Sequence, residues 1–336
     1  MSRWGILIIL SITMLILAVL DILSGSVNVP FIEFKHWLSG GETSDVFNFI
    51  VIQSRIPKAL TAILCGAALS LAGLLMQTLF RNPLAGPYLL GISSGAGLGV
   101  ALLIMGAGFM GFAVASGSAI NVAAIIGALV MMLILLAVSF KIKDVMTLLI
   151  FGVMTGSIAT AIIGLIEFFT SDFQLKSFII WTLGSLSSVS YFELFILNVS
   201  LVLSAFYALY NYKGLNAVLV SEDFAKMLGI KVLYVRLSIV LITGVLAGLT
   251  TAFCGPIGFI GIIIPHLSRL ILKSNDHLVL IPTCILLGAN VLLLGDILSH
   301  IPTDGTSLPI NSITSILGIP IILWILFGKK NISQSF

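Results

Sequence analysis

The sequence predicts an all-α polytopic membrane protein with about ten transmembrane helices, and three observations carry that prediction. Of 336 residues, 59% are hydrophobic and only 9% charged, against about 25% charged in a soluble domain. The apolar residues fall into runs near the ~20 residues a spanning helix needs, at 4–22, 57–80, 88–105, 115–138, 145–168, 190–210, 232–253, 258–272, 278–297 and 311–328. Finally, the basic residues are asymmetric. With an inner N-terminus and alternating spans, Lys35, Arg55, Lys58 and Lys176 fall outside. The other twelve of 16 Lys+Arg, Lys143, Lys329 and Lys330 among them, fall inside. That follows the positive-inside rule, so both termini are expected in the cytoplasm of a multi-pass inner-membrane protein. The spans leave no room for a soluble domain, and 1–336 reads as one transmembrane domain. A net charge of +3 gives no reason to expect a nucleic-acid partner.

The first run, Trp4 to Leu20, follows Arg3 and precedes Ser24-Gly25-Ser26, as in a signal peptide. It is too long for a typical apolar signal region and reads as an uncleaved span. The outer segment 23–56 is the longest external loop, with Phe31, Phe34 and Trp37 suited to the membrane interface. Residues 55–99 are the stretch around which the chain is organised. A helix enters at Arg55-Ile-Pro-Lys58 and breaks at Asn82-Pro83, with Pro87 close behind. Proline forbids continuous helix, and freed backbone groups at membrane depth need protein or water as partners. The next helix opens with Gly91, Gly95 and Gly99, a four-residue spacing that lets two helix backbones approach closely. The break reads either as a plain inter-helix turn or as a constriction beside a transport pathway. Farther on, 169–190 forms a second outer loop, in which Trp181 to Leu186 suits a short surface helix, and 299–310 forms a third.

Residues 211–231 are too polar to span and too long for a simple turn. Ser221 is a good N-cap, Glu222 and Asp223 suit the positive end of a helix dipole, and Gly229 suits a left-handed C-terminal cap. A two-turn helix over 222–228 results, with a second over 214–219. It either lies flat on the membrane or docks a cytoplasmic partner, and its short, capped, charged character favours docking. Gly244-x-x-x-Gly248 followed by Gly255-Pro256-Ile-Gly258 loosely echoes the opening stretch five spans later. That fits an inverted repeat of spans 2–5 and 7–10.

Energy coupling separates the functional classes. Ion-driven carriers place ionisable groups near the midplane. Here Asp21, Arg81, Glu167, Glu193, Arg236, Arg269 and Asp296 lie near span ends. His266 alone sits deeper, beside Pro265, where it suits a structural hydrogen bond to a freed carbonyl better than a proton relay. The chain therefore reads as a passive pathway driven by something else. Gly328-Lys329-Lys330 lacks the loop of a phosphate-binding motif. His36, His266, His277 and His300 lack metal-ligand spacing. Cys65, Cys254 and Cys284 sit in apolar runs and read as packing residues. No enzymatic activity, cofactor or metal site is expected of this chain.

An ordered set of motifs resembles the FecCD-type permeases, membrane subunits of binding-protein-dependent ABC importers for iron-siderophores, haem and cobalamin. The set is Arg55-Ile-Pro-Lys58, Gly66 to Gly73, Gln77-Thr-Leu-Phe-Arg-Asn-Pro-Leu-Ala85, Leu90 to Ala96, Trp181 to Ser185, Ala225 to Gly229, Gly255 to Gly261, Pro265-His266 with Arg269, Asp276-His277 and Gly318-Ile-Pro320. The resemblance implies a type II ABC importer permease that imports a metal chelate. An iron-siderophore is the commonest family cargo, with haem or cobalamin the alternatives. It implies a homodimer in membrane lipid, two copies of an ATPase subunit that binds the ATP, and a periplasmic or lipoprotein substrate-binding protein. By the same resemblance, Phe151, Met154, Thr155 and Ile158 line the pathway, and Asn82 and Leu84 form an inner constriction. Residues 213–229 become the coupling helices, with Ser221, Glu222, Ala225, Leu228 and Gly229 as coupling residues. Ala225 is expected to meet the ATPase groove. Arg55 and Lys58 are expected as exposed cations that dock the binding protein. His300 adds charge as the pH falls through the ordinary histidine value of about 6.5.

Three places depart from the family pattern: Asp296-Ile-Leu-Ser-His300, Ser307-Leu-Pro-Ile-Asn311, and Ser221 where glycine is common. An ion-coupled secondary transporter is the rival class, and a receptor or assembly factor a second.

Overall fold

A computed structural model describes residues 3–25, 31–41, 43–106, 117–142, 144–301 and 307–327. Lys143, Lys329 and Lys330, and parts of the outer loops 23–56 and 299–310, lie outside these. The helices in order are α1 (Arg3–Leu23), α2 (Phe31–Leu38), α3 (Asp45–Ile50), α4 (Ile56–Phe80), α5 (Ile92–Ala101), α6 (Gly117–Lys141), α7 (Val145–Phe168), α8 (Asp172–Thr182), α9 (Tyr191–Tyr210), α10 (Tyr212–Val220), α11 (Glu222–Met227), α12 (Val232–Cys254), α13 (Ile260–Leu272), α14 (His277–Ser299) and α15 (Ile310–Phe327). A wide turn over Val51–Arg55 joins α3 to α4 into one 36-residue apolar helix. Among the described residues, seven helices are long and apolar enough to cross a membrane, and three shorter apolar ones, Ile92–Gly106, Ile260–Leu272 and Ile310–Leu323, occupy the remaining expected spans.

α4 is the axis of the bundle and is buried along nearly its whole length. Its composition explains this. Ala, Gly, Ser and Thr let neighbours approach, and the hydroxyls of Thr61, Ser70 and Thr78 return their hydrogen bonds to the carbonyls four residues back, at 2.6 to 2.8 Å, so they bury without orphan donors. α14 crosses α4 at Gly66 and Gly288, where a Cβ on either glycine would overlap the other's carbonyl. α5 crosses α6 the same way at Gly95 and Gly127. Gly91 instead turns the chain into α5 at φ 71° and lies against Gly156 of α7.

The inverted repeat is visible in the packing. α4 packs on α13 and α14, as α12 packs on α5 and α6. α5 packs on α6 and α7, as α13 packs on α14 and α15. Both first helices end on a break, at Arg81 (φ 47°) and at Gly255 (φ 74°). Two local expectations differ from the structure. The helix at Trp181 runs earlier, over Asp172–Thr182, and stops because Gly184 takes φ 75°. Phe34 does not lie at the interface. It is buried against Phe47 and Val51 and stacks on Trp37, 6.0 Å between centroids.

Candidate functional site

At the break after α4, Asn82 Oδ1 accepts from Leu84 N at 2.9 Å, and Ala85 N donates to Asn82 O at 3.1 Å. This is a closed side-chain turn, and both Asn82 and Leu84 are half-buried. The residue that holds the break in place is Gln77, which sequence reasoning did not single out. Its Nε2 donates to Pro83 O at 2.7 Å and to Ile262 O on α13 at 2.9 Å, while its Oε1 accepts from Arg269 of α13. One buried amide therefore ties the break to α13. His266 is buried, but it is Gln77 that reaches the carbonyl in the turn before Pro265.

On α7, Met154 and Ile158 project from the chain at 60% and 59% exposure. Phe151 turns toward the core, and the half-buried Thr155 hydroxyl donates to Phe151 O at 2.9 Å. The four residues expected along a pathway thus divide, two on an open face and two behind it. Beside that face is a cleft of about 290 Å³ between α5 and α7, lined by Tyr88, Ser94, Val153, Ser157 and Thr160. Its hydroxyl stripe was not recognised from sequence, although 153, 157 and 160 share one helix face.

The segment 211–231 forms a compact elbow. Ser221 caps α11 by accepting from Phe224 N at 3.0 Å, and Gly229 takes φ 77°. Glu222 pairs with Arg236 of α12 at 2.7 Å, and Arg236 also donates to Ile142 O. α10 is anchored by Asn216, whose Nδ2 donates to Asp276 Oδ1 and whose Oδ1 accepts from His277 N. His277 in turn contacts Thr78 of α4 at 2.7 Å. The expectation that Ala225 faces outward is corrected here. Ala225 is 0% exposed and packs on Ala217, Val218 and Val232 beneath the elbow. The outward face carries Phe224, Met227 and Leu228, with Met227 86% exposed. Helix phase explains it, since 225 lies on the side that must cover α10.

The mouth expected to face outward also differs from expectation. Arg55 and Lys58 are 6% and 8% exposed, so they are not a solvent-facing cation pair. Lys58 Nζ lies 2.9 Å from Asp296 Oδ2 and contacts His300 Nε2, Arg55 donates to Ser24 O, and the Asp21 carboxyl lies against Asp296. Three helices, α1, α4 and α14, are clamped together by this network. Because Lys58 donates to His300, the imidazole accepts at Nε2 and is neutral there. Burial first, and then the charge of Lys58, push the His300 pKa below its ordinary value. A histidine held down in the folded state leaves the unfolded chain binding more protons, so stability is intact above about pH 6.5 and falls as the pH drops below it. Protonating His300 therefore costs this mouth stability rather than adding a docking charge. In detergent, the change in thermal midpoint on going from pH 7.5 to 5.5 should be less favourable in wild type than in His300→Gln. An equal change in both would assign the pH dependence to another group.

These features define a polytopic permease with broken helices along its axis and a helical elbow at one end. The comparisons agree. The FecCD transport family matches residues 12–328. Vitamin B12 import system permease proteins BtuC from Klebsiella pneumoniae subsp. pneumoniae and Salmonella paratyphi A are each 36% identical. The first match covers 88% of both chains, the second 96% of this chain and 94% of that one. A metal-chelate type ABC transporter in an inward-facing conformation superposes with TM-score 0.83 at 28% identity, covering 97% of this chain and 99% of that one. PsaBC from Streptococcus pneumoniae, in complex with Fab, shares the fold at TM-score 0.55 and 19% identity, over 88% and 95% of the chains. The chain belongs to the FecCD transport family and is a multi-pass permease of the ABC importer type.

Proposed function

We propose that this permease imports a metal chelate whole, with cobalamin as the first candidate cargo. The observation that carries the cargo is the pair of 36%-identical relatives named as vitamin B12 import permeases. The chemistry of α7 suits such a ligand. An apolar face beside a hydroxyl-lined cleft offers contact area and exchangeable hydrogen bonds to a large, already wrapped chelate without competing for its metal. Two copies of the chain enclose the pathway between their α7 faces. The broken helices near Asn82 and Leu84 close it on the inside. ATP is bound and hydrolysed by a separate subunit, two copies per importer, each holding an elbow in a groove through Phe224, Met227 and Leu228. A substrate-binding protein docks on the outer mouth. There Arg55, Lys58 and Asp296 brace the rim from beneath, and His300 stands at its edge.

A deletion strain supplied with limiting cobalamin, iron-siderophore or haem tests the cargo. Cobalamin-dependent growth should be lost and restored by the chain together with its ATPase and binding protein. A defect confined to iron-siderophore or haem would overturn cobalamin while leaving the chelate class standing. Uptake into proteoliposomes driven by an ion gradient without the ATPase would overturn the class itself.

A further inference from the structure

Between α9 and α12, on the outside of the bundle, runs an apolar groove of about 540 Å³. Phe195, Val199 and Leu203 of α9 face Leu241 and Val245 of α12 across it. This is not the side that carries the α7 face: α7 packs mainly on α5, with smaller contacts to α6 and α4, whereas α9 packs on α4, α12 and α14. Along α9 the groove runs from Phe195 to Tyr207, twelve residues or about 18 Å at 1.5 Å each. That is close to one leaflet of a hydrocarbon core about 30 Å thick. Its walls are flanked by strongly exposed Val202 and Phe206, so the groove opens to lipid.

The foot of the groove is polar and basic. Tyr207 and Ser238 close it with a 2.6 Å hydrogen bond between their hydroxyls. Just beyond, Lys213 lies 5.9 Å over the ring of Tyr212 and Lys231 lies 5.6 Å over that of Tyr234. Tyr210 and Tyr234 are exposed, as tyrosines are where a helix leaves the membrane. Neither 194–220 nor 224–242 contains an Asp or Glu. Of the nearby carboxylates, Glu222 and Asp223 are paired with Arg236 and Lys226, and Asp276 accepts from Asn216 of α10. The foot is therefore a cationic ledge beneath a slot one leaflet deep.

We infer that this groove holds an anionic phospholipid of the inner leaflet, an acyl chain between α9 and α12 and the phosphate at Lys213 and Lys231. Basic pockets between helices at this depth suit anionic headgroups. The acyl chain fills a cleft that the described residues leave uncovered, and Tyr210 and Tyr234 flank the headgroup.

The test is lipid analysis of the intact importer, permease with its ATPase, purified in mild detergent from membranes containing both zwitterionic lipid and phosphatidylglycerol. Wild type should retain phosphatidylglycerol above its share of the membrane. Lys213→Ala with Lys231→Ala should bring that ratio back to the bulk value, and Lys213→Arg with Lys231→Arg should keep it. Val199→Trp, at the exposed edge of the slot, should displace the lipid with the lysines intact. Retention at the bulk ratio in wild type would overturn the inference. So would enrichment indifferent to both the alanine and tryptophan changes, or a protein segment or second permease copy occupying the slot without lipid.

Discussion

Replacing Met227 and Leu228 with aspartate is expected to abolish ATP-driven uptake while leaving the permease folded. Both side chains point away from the elbow, so nothing inside the chain depends on them. In a partner's groove, the loss of two apolar anchors costs about 2 kcal/mol or more, roughly a 30-fold weakening. Yield, monodispersity and melting temperature should match wild type, and co-purification of the ATPase should fail. Ala225→Arg is the contrasting case. Its side chain would have to enter the space filled by Ala217, Val218 and Val232, where overpacking costs about 1–3 kcal/mol and a buried unpaired charge adds more. That variant should lose folded protein, not only coupling. Wild-type ATPase recovery and uptake with Met227→Asp/Leu228→Asp would place the coupling surface elsewhere.

Lys58→Met should be among the most destabilising single changes in the outer half. It leaves Asp296, which is 2% exposed and already beside Asp21, without its cation. Breaking a buried pair from one side costs about 3–5 kcal/mol, whereas replacing both partners by neutral groups is often tolerated. Lys58→Met with Asp296→Asn should therefore recover much of the lost thermal stability. A single variant as stable as wild type would show that the pair adds nothing. Reversing both cations, Arg55→Glu with Lys58→Glu, would crowd four carboxylates together and disturb folding before it could report on docking.

The span positions, the double-proline break and the capped helix at 222–227 were legible because each is written locally, in an apolar run, a proline or a cap three residues from its donor. What was not legible depends on distant partners. Lys58 looks like a surface cation until Asp296, 238 residues later, is brought beside it. Gln77 looks like an ordinary polar residue near a helix end until α13 supplies Arg269 and the carbonyl of Ile262. Ala225 was misread for a different reason. A six-residue helix is too short to show which of its faces is buried, and the small residue that suited a groove also suited the underside of the elbow.

The crossing of α4 and α14 at Gly66 and Gly288 sets the timetable of biosynthesis. The two glycines are 222 residues apart (288 − 66). At about 5–20 residues per second, α4 leaves the ribosome on the order of ten to forty seconds before its main packing partner. Through that interval it sits in the bilayer with Lys58 and Gln77 lacking Asp296 and Arg269, and with its small-residue seam open to lipid or to any other helix. The nascent permease is thus expected to depend on protection from membrane proteases until its last third is made. Truncations that stop before α14 should be cleared rapidly, even though they contain the α4 break and the entire elbow.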